Sequence, residues 1–539
     1  MTGRGRVPGT ARAAGAPAAP GARRARGAVA ALGALALLAA CGGAPEPEGG
    51  PSTRLPSPGP VAAAADDPAL DPALADVYGQ QPAWVPCGEV LECATVAVPV
   101  DWDAPDGEVL DLAVSRVPAG AGEDRLGSVL VNPGGPGASG VDLVGADGSA
   151  AVSEAVRERY DVVGFDPRGV GRSDPVDCLD DAALDEYLSA DVSTTTPEGE
   201  EEVAEREAAF ARGCAEDAGP LLGEVGTVDV ARDLDVLRAV LGDERLTYVG
   251  RSYGTLLGAE YLRQFPARAG RFVLDGALDP ADGAAAVSLA QAEGLERALT
   301  AFVTACGEGD VDGCPLEGTP EEGLATVADL VESTRADPLP TGDPDRPLTR
   351  PLAATGVVAA LYDDRTWSLL GGALADALDG EGSGLLQLAD AYAGRAPDGT
   401  YRGNTLEAFV AVSCLDRPGV TAEEAEELTD RLGEVAPTLG SLVGGGATCV
   451  DWPVPPTRTP APVEAPDAQP TLVVGTTGDP ATPYVWSQRL ADQLGSAALL
   501  TYDGEGHTAY LRGDDCVDAA VDAYLLDGVL PGDGATCGG

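Results

Sequence analysis

The pattern of apolar and polar positions predicts alternating strands and helices over most of the chain. Two early apolar runs flank residues 105–107, Pro-Asp-Gly, which is a hairpin signal. Later runs, such as Val-Leu-Val and Thr-Leu-Val-Val, are continuously apolar, as expected of parallel strands buried on both faces. The eight predicted strands cover residues 94–100, 109–117, 128–132, 160–165, 246–250, 271–275, 471–476 and 498–503. Because helical spacing separates several of them, as at residues 229–241, we predict an α/β fold with a mostly parallel eight-stranded sheet and an antiparallel start.

A long insertion interrupts this alternation between the sixth and seventh predicted strands. It covers residues 277–466, and its apolar spacing is mostly helical. The helical stretches include residues 287–306, 320–333, 370–378 and 406–414. An insertion of this size predicts a helical cap domain over the carboxyl edge of the sheet, which leaves residues 76–276 and 467–539 as the core.

The amino-terminal segment has the pattern of an export signal. Residues 1–26 carry six arginines and no acid, and an apolar run follows, which predicts a secretory signal peptide over residues 1–40. The apolar run is shorter than the roughly 20 residues that a membrane-spanning helix needs. The ending Leu-Ala-Ala-Cys41 resembles a bacterial lipobox, in which the cysteine is lipidated; an ordinary signal peptide with a chance cysteine is the alternative. Residues 41–75 are rich in Pro, Ala and Gly and are interpreted as a linker.

The charge balance and the histidine count exclude several functions. The 539 residues include 34 basic and 87 acidic ones, for a formal net charge of −53. Nucleic-acid binding requires clustered basic side chains, so that class of partner is excluded. The single histidine, His507, excludes metal sites built from several imidazoles. Any chemistry that needs an imidazole must take place at this residue.

Cysteine usage indicates an oxidising compartment. The chain has 11 cysteines, and a lipid on Cys41 would leave an even number. No C-x-x-C spacing is present, so a zinc site is not expected. The remaining cysteines fall into couples that are close in sequence, which predicts the disulfides Cys87–Cys93, Cys178–Cys214, Cys306–Cys314, Cys414–Cys449 and Cys516–Cys537.

A serine, an acid and the histidine lie where nucleophilic catalysis would need them. Residues 250–254, Gly-Arg-Ser-Tyr-Gly, follow a predicted strand and open a helix, so Ser252 would sit on a sharp turn that only flanking glycines permit. A serine hydroxyl needs a base, and His507 follows the last strand. The acid that orients this base is expected after the seventh strand, at Asp479, with Asp275 at the end of the sixth strand as the alternative. The order Ser252, Asp479, His507 is that of α/β-hydrolases.

A glycine-rich loop can supply donors for an oxyanion. Residues 132–137, Asn-Pro-Gly-Gly-Pro-Gly, follow the third predicted strand. One donor is expected to be the backbone N–H of Tyr253, the residue after the nucleophile. The other is expected from Gly135, with Gly134 as the alternative.

These motifs resemble those of secreted tripeptidyl aminopeptidases in the proline iminopeptidase group of α/β-hydrolases, found in high-GC actinobacteria. The chain is also similar to lipid-anchored mycobacterial envelope serine hydrolases of the carboxylesterase A type. The matching segments, spread over residues 85–539, are 132–137, 166–173, 250–255, 273–276, 478–480 and 504–508. The resemblance implies Ser252 as nucleophile, Asp479 as acid and His507 as base. One departure is Asn132, because related proteins begin this loop with histidine.

The resemblance implies an exported hydrolase that removes short peptides, in particular tripeptides, from free amino termini. Its partners would be peptide substrates, it would need neither metal nor organic cofactor, and it would contact the membrane only through the lipid anchor. An acid in the cap must pair with the substrate's ammonium group, and Asp416 is the candidate, unless it is a solvated surface carboxylate. Two other functions stay open: a carboxylesterase or lipase with the same catalytic residues, and a non-catalytic lipoprotein that binds ligands.

Overall fold

A computed structural model describes residues 47–56, 71–120, 124–145, 147–192, 196–440, 449–450 and 452–538. Its central element is a sheet whose eight long strands correspond one to one with the predicted strands. Their bounds are β1 Glu92–Pro99, β2 Val109–Val117, β3 Gly127–Asn132, β4 Tyr160–Phe165, β5 Leu246–Arg251, β6 Ala269–Asp275, β7 Leu472–Gly478 and β8 Ala498–Glu505. No bound differs by more than two residues from the prediction.

The strand order across the sheet is β1-β2-β4-β3-β5-β6-β7-β8. The pairs β1–β2 and β2–β4 are antiparallel, and the strands from β4 to β8 run parallel, which confirms the predicted mixed sheet. Two short edge strands, Val85–Pro86 beside β1 and Ala535–Gly538 beside β8, raise the described sheet to ten strands rather than eight. Their apolar pattern is too short to show a period of two, so only the pairing with a neighbour defines them.

Helices cover both faces of the sheet. In chain order they are α1 Ala75–Gly79, α2 Gly140–Val144, α3 Glu154–Arg159, α4 Asp181–Ser189, α5 Pro197–Ala218, α6 Thr227–Val240, α7 Tyr253–Gln264, α8 Ala284–Glu308, α9 Pro320–Ala336, α10 Arg350–Leu361, α11 Trp367–Leu378, α12 Ser383–Ala393, α13 Thr405–Asp416, α14 Ala422–Val435, α15 Tyr484–Leu494 and α16 Asp515–Asp527. Successive residues of β3 face opposite ways: Leu130 packs in the cluster that contains α6 and α7, whereas Val129 and Val131 pack in the cluster that contains α16. All six positions of β3 are therefore buried.

The insertion between β6 and β7 is helical in its described part, as predicted, and has two packing partners. Helices α9 to α12 and much of α8 share a separate apolar cluster that includes Phe302 and Leu370. Helix α13 instead contributes Val412 and Leu415 to the cluster on the sheet face that α6 and α7 cover. The end of the insertion is thus part of the hydrolase core by packing, although the helical pattern alone places it in the cap.

Five disulfides join the cysteines in the predicted couples. They are Cys87–Cys93, Cys178–Cys214, Cys306–Cys314, Cys414–Cys449 and Cys516–Cys537. Each of them closes a short or moderate stretch of chain, which restrains the unfolded chain and stabilises the fold.

Part of the predicted amino-terminal linker is attached to the carboxyl-terminal segment. Glu48 and Thr536 exchange two backbone hydrogen bonds of 2.9 and 2.7 Å, and Thr53–Arg54 pairs antiparallel with Val529–Leu530. This pairing satisfies backbone groups that an isolated linker would leave to water. The predicted signal peptide and Cys41 lie outside the described residues. Within the described residues, no helix combines the length and the apolar character that crossing a membrane requires.

Candidate functional site

Ser252 lies on a strained turn between β5 and α7. Its backbone has φ 53° and ψ −124°, a conformation that a residue other than glycine rarely adopts. The flanking glycines make room for this turn. A Cβ on Gly250 would lie 2.6 Å from the carbonyl carbon of Gly254, and one on Gly254 would lie 2.8 Å from the side chain of Asn132. Both substitutions would therefore displace the turn that presents the serine.

Asp479 and His507 lie side by side after β7 and β8. The Nδ1 atom of His507 is 2.9 Å from both carboxylate oxygens of Asp479. The imidazole is 13% exposed, and the carboxylate is fully buried. Burial raises the pKa of Asp479, but the charge of His507 and the hydrogen bonds that the carboxylate accepts outweigh it and hold the pKa below its usual value. The carboxylate therefore stays ionised and can orient the imidazole.

Thr482, which the sequence analysis did not single out, completes the surroundings of Asp479. Its N–H donates to Oδ1 at 2.7 Å, and its hydroxyl donates to Oδ2 at 2.9 Å. The N–H groups of Ala481 and Thr508 add bonds of 2.9 and 3.1 Å. The only sequence signal for Thr482 is its position three residues after the acid, where a turn directs its polar groups back to that carboxylate.

Asp275, the alternative acid, has a different set of partners. Its carboxylate accepts the N–H of Ala509 at 3.0 and 3.1 Å and the N–H of Tyr510 at 2.9 Å. Burial raises its pKa, and the two backbone donors reduce this effect without cancelling it. The structure therefore brings Asp479 to the imidazole ring, whereas Asp275 holds the backbone just beyond His507.

The glycine-rich loop after β3 packs directly against the nucleophile. A Cβ on Gly134 would lie 2.9 Å from the Cβ of Ser252 and 3.2 Å from the backbone nitrogen of Tyr253. The N–H of Gly134 donates to the side-chain oxygen of Asn132 at 3.0 Å, so this donor is already engaged. Gly135 has φ 104°, a left-handed conformation that favours glycine, and its bond to Pro136 is cis.

Asp166 holds the far end of this loop. Its carboxylate accepts the hydroxyl of Ser139 and the N–H groups of Val141 and Arg172, the latter two at 3.2 and 3.0 Å. These contacts give Asp166 and Arg172, which belong to the segment 166–173, a structural role in holding the loop, although neither hydrogen-bonds to Ser252 in the described network. The loop is fixed at one end by β3 and at the other by this aspartate.

Asp416 is buried rather than open to a substrate. Its two carboxylate oxygens accept the N–H and the hydroxyl of Thr227 at 3.0 and 2.5 Å. The same hydroxyl lies 2.6 Å from the phenol oxygen of Tyr253. Burial and the nearby charge of Asp416 raise the pKa of this phenol, which stays neutral. Thr227 thus links Asp416 to the side chain of Tyr253, the residue that follows Ser252.

One group of side chains in the described residues has metal-ligand spacing, and it does not form a usable site. It consists of Asp514, Cys516 and Cys537. The two cysteines form a disulfide, so neither offers a thiolate.

Comparison with known proteins places the chain among hydrolases. A family profile described as "alpha/beta hydrolase fold" matches residues 127–312, and one described as "TAP-like protein" matches residues 436–537. The chain is 40% identical to the serine protease Hip1 of Mycobacterium tuberculosis over 85% of this chain and 91% of the relative. It is 40% identical to carboxylesterase B of the same species, over 89% and 94% respectively. It is 30% identical to the tripeptidyl aminopeptidase of Streptomyces lividans, over 83% of each chain.

Proposed function

The chain belongs to the α/β-hydrolase family that includes these tripeptidyl aminopeptidase-like proteins and is a serine hydrolase, and on this premise we propose that it releases tripeptides or other short peptides from free amino termini. The observation that carries the catalytic assignment is the contact of Asp479 with the only histidine of the chain, at 2.9 Å. Ser252, Asp479 and His507 are the proposed catalytic residues.

In the proposed reaction, Ser252 Oγ attacks the scissile carbonyl carbon while His507 Nε2 takes its proton. The imidazolium then returns this proton to the leaving amine as the peptide bond breaks, which leaves an acyl group on the serine. A water molecule, deprotonated by the same nitrogen, attacks the acyl group, and the imidazolium gives this proton to Ser252 Oγ as the ester bond breaks, which frees the short peptide and the serine. Asp479 keeps Nδ1 protonated and stabilises the imidazolium.

The proposed oxyanion donors are the N–H groups of Tyr253 and Gly135. Gly135 is preferred to Gly134 because the N–H of Gly134 already donates to Asn132. Asn132 would hold the loop in the shape that directs the next N–H towards the reacting oxygen. Loss of one such donor costs about 100- to 1,000-fold in rate.

Ser252→Ala and His507→Ala test the assignment. We expect each to reduce kcat by more than about 1,000-fold, because the two groups act as a unit, while circular dichroism and the melting temperature stay close to those of the wild type. Wild-type turnover in either folded variant contradicts the assignment.

The substrate class requires a separate test because the relatives carry both peptidase and esterase names. The alternative function is a carboxylesterase or lipase that uses the same residues. Asp416 is not proposed as the ammonium-binding acid because it is only 1% exposed and its carboxylate faces Thr227. We would compare a tripeptidyl chromogenic amide, the same amide with a blocked amino terminus, and a p-nitrophenyl ester. A preference for the free amide of at least tenfold supports the aminopeptidase; equal cleavage of the free and blocked amides contradicts it.

We also propose that the protein is exported and held to the membrane by a lipid on Cys41. The five disulfides support an oxidising compartment. Metabolic labelling with a fatty-acid analogue should label the wild type in an actinobacterial host and should leave Cys41→Ala unlabelled. Equal labelling of both would refute the anchor.

A further inference from the structure

The end of helix α10 in the insertion contacts the loop that carries His507. The backbone N–H of His507 donates to the carbonyl oxygen of Tyr362 at 2.8 Å. The Tyr362 ring stands edge-on to the imidazole, with 5.5 Å between ring centroids and an interplanar angle of 88°. The histidine is therefore held on one side by Asp479 and on the other by a residue of the cap.

Arg512 joins the same two segments by its side chain. Its Nη1 donates to the carbonyl oxygen of His507 at 3.2 Å, and its Nη2 donates to Asp363 at 2.9 Å. The two side chains of this ion pair are only 15% and 23% exposed, so solvent screens the pair less than a surface pair. Asp364 lies 3.6 Å from the same guanidinium group as a weaker second acid.

Gly506 allows this close approach. It has φ 101°, and a Cβ at this position would lie 2.6 Å from Nη2 of Arg512 and 3.3 Å from the carbonyl oxygen of Tyr362. A larger residue would separate the arginine from the cap. Gly506 therefore lets Arg512 and the carbonyl group of Tyr362 pack closely around the backbone of His507.

We infer that Arg512 and Asp363 are positioning residues, which hold the His507 backbone against the cap so that the imidazole is in place for catalysis only when the end of α10 is docked. This inference rests on the proposed role of His507 as the base. Neither side chain touches the reacting atoms; both act through the His507 and Tyr362 backbones. The cap would thus contribute to catalysis through the position of the histidine.

A second ion pair between the insertion and β8 provides a matched control. Arg297 of α8 lies 3.1 Å from Glu505, the last residue of β8. The side chains of this pair are 39% and 32% exposed, more than those of Arg512 and Asp363. Arg297 contacts the Glu505 side chain rather than the His507 backbone. Loss of this pair should loosen the cap without moving the histidine.

The single histidine makes a direct test possible, because its ring gives the only imidazole signals of the protein. We would label the mature protein with ¹⁵N-histidine and record the downfield Nδ1–H resonance in the wild type, Arg512→Gln, Arg512→Lys, Asp363→Asn and Arg297→Gln. The same proteins would be assayed for kcat, KM and the rate of fluorophosphonate labelling of Ser252.

The wild type and Arg297→Gln should show one protected Nδ1–H resonance and equal labelling rates. Arg512→Gln should broaden or lose this resonance and lower kcat and the labelling rate by about 10- to 100-fold, with KM within about twofold, because misplacement of a catalytic group by about 1 Å has effects of this size. Asp363→Asn should have a smaller effect, since Asp364 stays close, and Arg512→Lys should restore part of the rate.

A wild-type resonance and rate in folded Arg512→Gln would overturn the inference, and so would an equal loss in Arg297→Gln. A wild type that neither reacts with the fluorophosphonate nor turns over a substrate would overturn the proposed function itself. These results are distinguishable because the first two require an active wild-type enzyme.

Discussion

The ends of β6 and β7 both carry a buried aspartate, yet the pKa values of the two carboxylates are shifted in opposite directions. Asp275 is 0% exposed and Asp479 is 1% exposed. Burial raises the pKa of both. At Asp275 two backbone N–H donors and the charges of Arg251 and His507 reduce this rise but leave the pKa above its usual value, whereas at Asp479 the charge and hydrogen bond of His507 bring it below. Direct contact with the imidazole, rather than the degree of burial, therefore distinguishes the pKa of Asp479 from that of Asp275.

The two aspartates also contact different parts of the loop that carries His507. Asp479 contacts the imidazole ring of His507, and Asp275 contacts the backbone N–H groups of Ala509 and Tyr510. Gly276 lies between them; a Cβ there would be 3.1 Å from Thr508 and 3.4 Å from a carboxylate oxygen of Asp479. Of the two acids, only Asp479 thus holds the imidazole ring, whereas the loop backbone is held by Asp479 at Thr508 and by Asp275 at Ala509 and Tyr510.

The largest expected effect is a loss of kcat in Asp479→Asn that Asp275→Asn does not share. Asp479→Asn should lower kcat on the order of 10³- to 10⁴-fold, because the amide cannot fix the required tautomer or stabilise the imidazolium. KM and the circular dichroism spectrum should change little. Steady-state kinetics on the best substrate would measure this, and a loss smaller than that in Asp275→Asn would reverse the assignment of the two acids.

Asp275→Asn should act mainly on stability. The amide replaces one acceptor with a donor that faces the N–H groups of Ala509 and Tyr510, so we expect the free energy of unfolding to fall by about 1–3 kcal/mol. Urea unfolding followed by fluorescence would measure it. Asp522→Asn, at a half-buried acid that bonds Ser153 and Tyr510 away from the imidazole, is a control for the general cost of an altered hydrogen-bonded carboxylate.

Asp479→Asn and Asp275→Asn should both lower the free energy of unfolding, but the two decreases should change with pH in opposite directions. The lowered pKa of Asp479 means that its stabilising contribution is present above the unfolded-state pKa of about 3.9 and is lost as the pH falls through the folded-state pKa. The raised pKa of Asp275 means the reverse: its contribution is complete below about 3.9 and declines as the pH rises through the folded-state pKa. Calorimetry from pH 3 to 7 should show the destabilisation by Asp479→Asn shrinking at low pH and that by Asp275→Asn shrinking at high pH; parallel changes would contradict the contrast.

The smallest effect concerns Glu407, a buried acid whose Oε2 has no hydrogen-bond partner among the described residues. Burial, reinforced by the charges of Asp177 and Asp181, raises its pKa to about 7. Its ionisation at higher pH therefore destabilises the fold. Glu407→Gln should raise the melting temperature by a few degrees at pH 8 and change it little at pH 5, as scanning fluorimetry can show. Glu296→Gln is the matched control, because the Glu296 carboxylate accepts N–H bonds from Thr438 and Leu439 and its replacement should lower the melting temperature at both pH values.

The sheet was predictable because its signals are local. Each of the eight long strands carries a continuous or alternating apolar run, and bounds such as Val109–Val117 and Tyr160–Phe165 agree with the prediction. The edge strand Ala535–Gly538 carries no such run and exists through its pairing with β8. Helix α13 was predicted as a helix from its apolar spacing, but its packing with α6 and α7 could not be predicted, because it depends on residues distant in sequence.

The candidate site was predictable where a motif fixes both the residue and its position. The strand–turn–helix setting predicted Ser252 as the candidate nucleophile, the composition left His507 as the only possible imidazole, and chain order favoured Asp479. The choice between Gly134 and Gly135 required the contact of Gly134 with Asn132. The contact of Asp416 with Thr227 could not be predicted from the sequence, because the two residues are far apart in the chain and only the fold brings them together.

The sequence by itself thus determined the eight long strands, the helical insertion, the disulfide couples and the position of the only imidazole, since periodicity, cysteine spacing and composition are properties of the chain. Tertiary structure alone decided which buried acid meets the imidazole, which glycine N–H is engaged, and that Tyr362, Asp363 and Arg512 surround the His507 backbone. The physical reason is that hydrogen bonds and ion pairs act over about 3 Å, and which distant residues come that close is fixed only when the whole chain packs.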